Sequence, residues 1–292
     1  MKKFKRFLCM AMVGSMLAFT GCTSGTGASS SADSAPASAS QVSAASSTKK
    51  VLRVAMECAY APFNWTQTTD ANNAVKIADS NEYCNGYDVQ MAKKIADSMG
   101  YDLEVHKTEW TGIPAAIASG KIDAGVCGMT VNKDRKKAFD FSDPYYLADF
   151  VVLTKKDGKF ANATSVADLK GATCTSQQST AWYDLLPQIP DGKIQPAIAD
   201  VPTMLVAIGS GKVEVETANK PTALSAVKAD PSLKMIVFEG DKGFKIDAEQ
   251  THVCVAVKKG NDELREKINK ALATISEDER NKMMDDAIAN QK

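Results

Sequence analysis

The chain of 292 residues carries 35 Lys and Arg against 35 Asp and Glu, with two His and seven Cys. Apolar residues make up 44% and charged residues 24%, which is typical of a globular protein and excludes a disordered or fibrous chain. The balanced charge offers no basic surface for nucleic acid, and two histidines argue against a multi-histidine metal site. We therefore expect no nucleic-acid partner, no metal and no cofactor. A chain of this length predicts two lobes rather than one core.

The N-terminal segment, residues 1–21, has the pattern of a secretory signal peptide. Four basic residues within the first six positions precede an apolar run over residues 7–20, which is too short to span a bilayer. The segment ends in Phe19-Thr20-Gly21-Cys22, and its Thr-Gly-Cys resembles a bacterial lipobox, in which Cys22 becomes lipidated, for example with palmitate. Because Phe19 stands where the lipobox usually has Leu, secretion without a lipid anchor remains an alternative.

The next segment favours an anchored protein. Residues 23–50 contain ten Ser, seven Ala, three Thr and two Gly, which leaves too little apolar surface for packing. Residues 22–50 are therefore predicted to be a lipidated cysteine followed by a flexible tether. Such a tether would hold the folded part at the outer face of the bacterial cell membrane.

From Val51 onward, short apolar runs that predict strands alternate with amphipathic segments that predict helices. The strands are predicted at residues 51–56, 103–105, 122–127, 150–154, 172–176, 213–217, 233–238 and 253–257. The helices are predicted at residues 87–99, 110–118, 165–169, 180–186, 201–210, 263–272 and 278–289. This alternation indicates α/β units with parallel sheets, and there are too many units for one small sheet.

Six sequence segments resemble, in the same order, the extracellular solute-binding proteins of ABC importers for polar amino acids. They are residues 60–63, 86–88, 119–123, 128–146, 167–171 and 210–213. The resemblance covers roughly residues 51–292 and implies a type II periplasmic-binding-protein-like fold, in which two α/β lobes joined by a two-strand hinge close on a ligand. Lobe I would comprise residues 51–147 plus 253–292, and lobe II residues 148–252.

The resemblance implies a substrate-binding component that delivers a polar amino acid to a membrane permease with a separate ATPase. We expect a monomer without enzymatic activity. The sequence has no GxSxG, HExxH or GxxxxGK[ST] motif. Two alternatives remain, namely a cyclohexadienyl (prephenate or arogenate) dehydratase-like enzyme on the same fold and a ligand-sensing domain for a separate signalling partner.

The predicted binding site begins with a cation for the ligand carboxylate. Arg135 can hold a carboxylate through two parallel hydrogen bonds, which Lys cannot do. Beside Lys133 and Lys136, Arg135 alone would suggest a solvated charge, but the surrounding motif favours the binding role. By resemblance, Thr130 and the backbone of Gly128 occupy positions that contact the ligand ammonium and carboxylate.

Further candidates come from both predicted lobes. Gln178, Ser179 and Thr180 follow a predicted strand and open a predicted helix, so their free N–H groups would face an anion. Ser179 or Thr180 can also serve as the N-cap of that helix. Tyr60 and Trp110 match aromatic positions that flank the ligand side chain in the family, with packing in the core as the alternative.

Two acidic or amide positions are expected to select the ligand. Glu57 and Asn64 are candidates for contact with the ligand's side-chain end.

Where the family usually has an acidic residue for the ammonium group, before a proline, this chain has Asn219. We expect Asn219 to lie in the cleft and Asn219→Asp to tighten binding. Either Glu216 compensates for the missing charge, or the ligand is not a standard α-amino acid.

The cysteines beyond Cys22 show no spacing typical of a zinc site. Cys127 and Cys254 lie in predicted apolar strands and are expected in the core. Whether Cys58 and Cys84 form a disulfide remains open.

Overall fold

The structure is a computed structural model that describes residues 49–291. The predicted signal peptide, Cys22 and the tether up to residue 48 lie outside the described residues.

The strands are β1 (Val51–Met56), β2 (Ala59–Tyr60), β3 (Asn64–Gln67), β4 (Val75–Lys76), β5 (Tyr83–Asn85), β6 (Asp102–Lys107), β7 (Ala124–Gly125), β8 (Phe139–Leu147), β9 (Phe150–Lys155), β10 (Thr173–Thr175), β11 (Lys193–Ile194), β12 (Val215–Asn219), β13 (Leu233–Ile236) and β14 (His252–Lys258). The α-helices are α1 (Tyr87–Met99), α2 (Ile113–Ser119), α3 (Arg135–Ala138), α4 (Ala181–Leu185), α5 (Val201–Gly209), α6 (Lys220–Ala229), α7 (Asp262–Ala273) and α8 (Glu277–Asn290). None of the helices within residues 49–291 is long and apolar enough to cross a membrane.

The first five-stranded sheet has the order β6-β1-β7-β14-β8. Strand β1 runs parallel to both β6 and β7, and Val54 pairs with Val105 on one side and Ala124 on the other. Strand β14 runs antiparallel to β7 and β8. The prediction of a parallel sheet is therefore correct for β6, β1 and β7 but wrong for β14, which runs against its neighbours.

The second five-stranded sheet has the order β11-β10-β12-β9-β13. Strand β10 is parallel to β11 and β12, whereas β9 is antiparallel to β12 and β13. A third, antiparallel sheet has the order β2-β3-β5-β4. The sequence analysis did not predict this small sheet.

Two chain segments connect the main sheets. Strand β8 ends at Leu147 in the first sheet, and β9 begins at Phe150 in the second. The chain returns to the first sheet through β14, after which α7 and α8 contact α1. We call the first sheet with α1, α2, α7 and α8 lobe I, and the second sheet with α4, α5 and α6 lobe II. The predicted architecture of two α/β lobes with a two-strand hinge is confirmed.

The carboxyl ends of the parallel strands lead into the loops that carry most of the candidate site. Strand β1 ends immediately before Glu57, and β7 ends two residues before Cys127. In lobe II, β10 ends two residues before Gln177. Open α/β sheets bind ligands beyond the carboxyl ends of their strands, so the fold itself brings these loops together.

Strands β7 and β8 and helix α6 differ from the predictions. Strand β8 contains Asp143 and Pro144, which obscure its strand pattern, and it lies at the sheet edge, where a proline is tolerated. Helix α6 begins with Lys220-Pro221, and proline marks a loop as readily as the first turn of a helix. The strand predicted at residues 122–127 is reduced to Ala124–Gly125.

Glu216 lies in β12, the middle strand of the second sheet, and has no exposed surface. Among the described residues, neither of its carboxylate oxygens has a hydrogen-bond partner. Burial raises the pKa of Glu216 to about 9. The folded protein therefore holds this side chain neutral at pH 7, so Glu216 does not supply the charge that was expected to compensate for Asn219.

We predict that Glu216→Gln stabilises the protein above neutral pH. The unfolded chain loses the Glu216 proton near pH 4.3, whereas the folded protein keeps it to about pH 9, so the wild-type free energy of unfolding falls between these values. In urea unfolding, the free energy of unfolding of the variant should exceed that of the wild type by on the order of 2–4 kcal/mol at pH 8. The difference at pH 4.5 should be small.

Glu214→Gln is the matched control, because the Glu214 carboxylate accepts a hydrogen bond from the Thr173 N–H at 2.9 Å. Glu214→Gln should not raise the free energy of unfolding at pH 8. An equal stability difference between Glu216→Gln and wild type at both pH values would contradict the proposed neutral state of Glu216.

Candidate functional site

A cavity between the lobes contains most of the predicted site residues. Its volume is about 10 Å³, which is roughly the room that one water molecule needs, so the lobes lie close together in this structure. Lobe I and its loops contribute Glu57, Tyr60, Trp110, Cys127, Gly128, Thr130 and Arg135. Lobe II contributes Gln177, Thr180, Ala181 and Trp182. Seven of the eleven predicted binding residues therefore line the cavity, and Asn64, Gln178, Ser179 and Asn219 do not.

Arg135 is the first residue of α3, and its N–H donates to Asn132 Oδ1 at 2.8 Å. Its guanidinium group contacts both lobes. Nη1 donates to the Thr130 carbonyl at 2.5 Å and to Thr130 Oγ1 at 3.3 Å, and Nη2 donates across the cleft to the Ser179 carbonyl at 2.7 Å. The same group lies 5.2 Å from the centre of the Trp110 ring. Burial lowers the pKa of Arg135, because the charged form is partly removed from water.

Aromatic side chains form the walls of the cavity. Trp110 donates from Nε1 to the Gln178 carbonyl at 3.0 Å, which is a second hydrogen bond across the cleft. The Tyr60 ring stacks on Phe63 at 4.8 Å and lies 5.7 Å from the Trp182 ring. The sequence analysis missed Trp182, because an aromatic residue in a predicted helix gives no signal that distinguishes a cavity wall from the core.

Gly128 allows the loop after β7 to approach Tyr60 closely. Its φ angle is +65°, and a Cβ atom at this position would lie 2.3 Å from Tyr60 Cε1. Any other residue would displace the Tyr60 ring and would also be strained in this backbone conformation.

Glu57 and Gln177 face each other across the cavity. Gln177 Nε2 donates to Glu57 Oε1 at 2.9 Å, which is a third hydrogen bond between the lobes. Burial raises the pKa of Glu57 to about 8, with smaller contributions from Asp200 and Glu109. Gln177 was missed by the sequence analysis, although it immediately precedes the predicted segment at residues 178–180.

The segment at residues 178–180 acts mainly through its backbone. The carbonyls of Gln178 and Ser179 accept hydrogen bonds from Trp110 and Arg135. Thr180 lines the cavity and is the N-cap of α4, where its hydroxyl accepts from the Tyr183 N–H at 3.3 Å. The predicted N-cap role of Thr180 is confirmed, and it is compatible with the place of Thr180 on the cavity wall.

Asn219 and Asn64 have their amide groups engaged away from the cavity. Asn219 caps α6, because its Oδ1 accepts from the Thr222 N–H at 2.9 Å, and its Nδ2 donates to the Tyr60 hydroxyl. Asn219 does not line the cavity, but its bond to Tyr60 joins lobe II to lobe I, and the effect of Asn219→Asp on binding stays a prediction. Asn64 is also buried and does not line the cavity, since it bonds Cys58 and Asp88.

The cysteines of the described chain are free and buried, and Cys58 and Cys84 form no disulfide. Cys254 lies in the core, as predicted, whereas Cys127 also reaches the cavity wall. Within residues 49–291, no group of three or more His, Cys, Asp or Glu side chains is arranged to hold a metal ion.

Comparison with known proteins identifies related sequences and structures. The L-cystine-binding protein TcyA of Bacillus subtilis (strain 168) is 28% identical over 277 residues, which cover 94% of this chain and 93% of TcyA. An ancestral arginine-binding protein, solved with bound arginine, is 30% identical with a TM-score of 0.66, and the alignment covers 82% of this chain and 98% of that one. The ancestral amino-acid-binding protein AncCDT-1, a precursor of cyclohexadienyl dehydratase, is 26% identical with a TM-score of 0.66. The alignment covers 82% of this chain and 95% of AncCDT-1.

The family model that matches the chain covers nearly all of the described residues. It represents the bacterial extracellular solute-binding proteins, family 3, and matches residues 52–288. This range contains both main sheets except Val51, the first residue of β1, and every residue of the cavity. The chain therefore belongs to the bacterial extracellular solute-binding proteins of family 3.

Proposed function

We propose that this protein is the substrate-binding component of an ABC importer and captures a polar amino acid in the cavity between its lobes. The observation that carries the proposal is the half-buried guanidinium group of Arg135, which lies on the cavity wall and contacts both lobes. The relatives support the same conclusion, because their names describe binding of cystine and arginine.

The ligand carboxylate is proposed to bind Arg135. The guanidinium presents donors in a fork that matches a carboxylate, and it now bonds neutral carbonyl oxygens of Thr130 and Ser179. A carboxylate would add the negative charge that carbonyls lack. Since the contacts of Arg135 come from both lobes, this interaction would favour the closed arrangement, which is the basis of capture by hinge closure.

The opposite end of the ligand is proposed to lie near Glu57 and between the rings of Tyr60, Trp110 and Trp182. These rings can cover an apolar stem and attract a cation. A cationic side chain would favour the ionised form of Glu57 and so offset the cost of burying that carboxylate. We therefore favour a cationic amino acid such as L-arginine among the polar amino acids.

The remaining candidates are assigned supporting positions. Gly128, Thr130 and Thr180 are proposed to contact the backbone groups of the ligand, since each lines the cavity. Gln178 and Ser179 are proposed to act through their carbonyl groups, and Asn219 through its hydrogen bond to Tyr60.

The cellular setting follows from the family and the N-terminal sequence. We propose residues 51–147 plus 253–292 and residues 148–252 as the two functional lobes. We further propose that Cys22 carries a lipid that holds the protein outside the cytoplasm at the cell membrane. The closed protein would then act as a monomer and deliver its amino acid to permease subunits that are driven by a separate ATPase.

We propose binding without catalysis, although one observation supports testing a dehydratase-like activity. Glu57 is a carboxyl group in the cavity whose raised pKa of about 8 would allow it to donate a proton at neutral pH. Prephenate therefore belongs among the test ligands. Turnover of prephenate would replace the binding proposal with the enzymatic one.

Replacement of Arg135 tests the proposed carboxylate site. In a thermal-shift screen of the purified protein against the twenty amino acids, amines and prephenate, a bound amino acid at 100 times its Kd should add about 2.7 kcal/mol of stability. For a protein of this size, that corresponds to a rise in Tm of roughly 5–10 °C. Arg135→Ala should abolish the shift, and Arg135→Lys should weaken binding about tenfold, because Lys lacks the paired donors.

Lys133→Ala is the control for charge, since Lys133 is exposed and lies two residues from Arg135. Lys133→Ala should keep the full rise in Tm that the wild type shows on ligand binding. If the wild type responds to an amino acid and Arg135→Ala responds equally, the proposed carboxylate site is wrong.

The pH dependence of binding tests the proposed role of Glu57. With the lobes as they lie in this structure, Glu57 is mostly protonated at pH 7, because its pKa is about 8, and a bound cation would lower that pKa. Binding of L-arginine should therefore release a proton and become several-fold tighter from pH 6 to 8, as calorimetry in buffers of different ionisation enthalpy can measure. Glu57→Gln should remove this pH dependence and weaken L-arginine binding about tenfold.

L-citrulline provides the matched ligand, because it has nearly the shape of L-arginine without the side-chain charge. Its affinity should change less than threefold in Glu57→Gln. Glu109→Gln is the control variant, because Glu109 is exposed and its charge also contributes to the raised pKa of Glu57. Equal losses for L-arginine and L-citrulline would rule out a charge-selecting role for Glu57.

A further inference from the structure

A buried polar network lies behind the cavity, and no part of the binding proposal uses it. Its centre is Asp88 in the first turn of α1, which has no exposed surface. Asp88 Oδ1 accepts a hydrogen bond from the Tyr145 hydroxyl at 2.6 Å, and Oδ2 accepts from Asn64 Nδ2 at 2.8 Å. Both carboxylate oxygens are therefore committed to side chains from other segments.

Each branch of this network ends on the backbone of a cavity loop. Asn64 Oδ1 accepts from the Cys58 N–H at 2.7 Å, next to Glu57. The Tyr145 hydroxyl accepts from the Gly128 N–H at 3.0 Å. Asp88 is thus connected through one side chain to the loop after β1 and through another to the loop after β7.

The two backbone positions that the network binds have unusual conformations. Cys58 has a φ angle of +53° and Gly128 one of +65°. The left-handed conformation of Cys58 is strained for a non-glycine residue and persists only where surrounding contacts enforce it. Both N–H groups are buried, so the network also provides the acceptors without which they would be unpaired.

The start of α1 is itself fixed to the same region. The N–H groups of Tyr87 and Asp88 donate to the carbonyls of Pro62 and Phe63 at 3.1 and 2.8 Å. A Cβ atom at Gly86 would lie 2.3 Å from the Phe63 carbonyl oxygen, so only glycine permits this contact. Asp88 consequently has a fixed position from which to orient the two loops.

An ionised carboxylate suits this place because it accepts hydrogen bonds on both oxygens and donates none. An asparagine at position 88 would present an amide nitrogen to one of the two donors. If the amide nitrogen faces Asn64, Asn64 cannot rotate its own amide without losing the bond to Cys58. If it faces Tyr145, the hydroxyl oxygen must accept from it as well as from the Gly128 N–H, and the hydroxyl proton loses its acceptor at position 88.

We propose that Asp88 is a positioning residue that acts through Asn64 and Tyr145 to hold the loops at Glu57–Tyr60 and Cys127–Thr130 in the conformation that binds ligand. The ligand part of this inference rests on the proposed function. The positioning part does not, because it concerns the order of two loops in the empty protein.

The test exchanges the donor and acceptor side chains of the hydrogen bond between Asn64 and Asp88. Asp88→Asn should raise the amide exchange rates of Cys58 and Gly128 at least tenfold, as measured by residue-resolved NMR, and should weaken L-arginine binding at least tenfold. The double variant Asn64→Asp/Asp88→Asn keeps the charge and reverses the direction of the bond. It should return both exchange rates and the Kd to within threefold of the wild type.

Two further variants separate positioning from general stability. Tyr145→Phe should raise the exchange rate of Gly128 and leave that of Cys58 unchanged, and it provides the test if Asp88→Asn does not fold. Ser142→Ala removes another buried hydroxyl of lobe I, which accepts from the Val255 N–H at 2.9 Å. It should lower the Tm without changing the exchange of Cys58 and Gly128 or the Kd.

Failure of the positioning role and failure of the proposed function give different results. Unchanged exchange at Cys58 and Gly128 in Asp88→Asn, or no recovery in the double variant, would overturn the positioning role. In a wild type that binds neither L-arginine nor any other amino acid, the proposed function fails, and the exchange rates still decide whether Asp88 positions the loops.

Discussion

The guanidinium group of Arg135 imposes the constraint on which the binding site depends. A partly buried cation needs acceptors for its N–H groups, and Arg135 takes one from Thr130 in lobe I and one from Ser179 in lobe II. The position of the lobes and the geometry of the carboxylate site are therefore set by the same hydrogen bonds. Trp110 and Gln177 add further hydrogen bonds across the same cleft. Ligand binding and lobe closure should consequently be one coupled event.

The predictability of the fold depended on how local the determining interactions are. Helix α1 was predicted at the correct residues, because its apolar periodicity and the left-handed Gly100 are encoded within the segment. The small sheet was missed, since its two- to four-residue strands are defined by pairings such as Trp65 with Asn85. The direction of β14 likewise depends on the chain returning from lobe II, which no local pattern specifies.

The site was predictable where a residue's chemistry has few uses and not where it has several. Arg135 within its motif indicated a carboxylate site, and its side chain lies at the cavity. An asparagine before a proline suits either a ligand contact or a helix N-cap, and Asn219 is used as the N-cap. Gln177 and Trp182 carry no sequence pattern that separates a cavity wall from ordinary packing. They become recognisable only once lobe II is placed against lobe I.

The charges of the cavity limit what a zwitterionic ligand can gain there. Arg135 and Glu57 provide one group of each sign, and a cationic amino acid would use them for its carboxylate and its side chain. The α-ammonium group then has no carboxylate of its own, because Asn219 is neutral and Glu216 is buried in its protonated form in β12. Neutral oxygens such as Thr130 Oγ1 remain as its acceptors, and such hydrogen bonds contribute less than charged ones. Affinity in this protein should therefore depend more strongly on the carboxylate and side chain of the ligand than on its ammonium group.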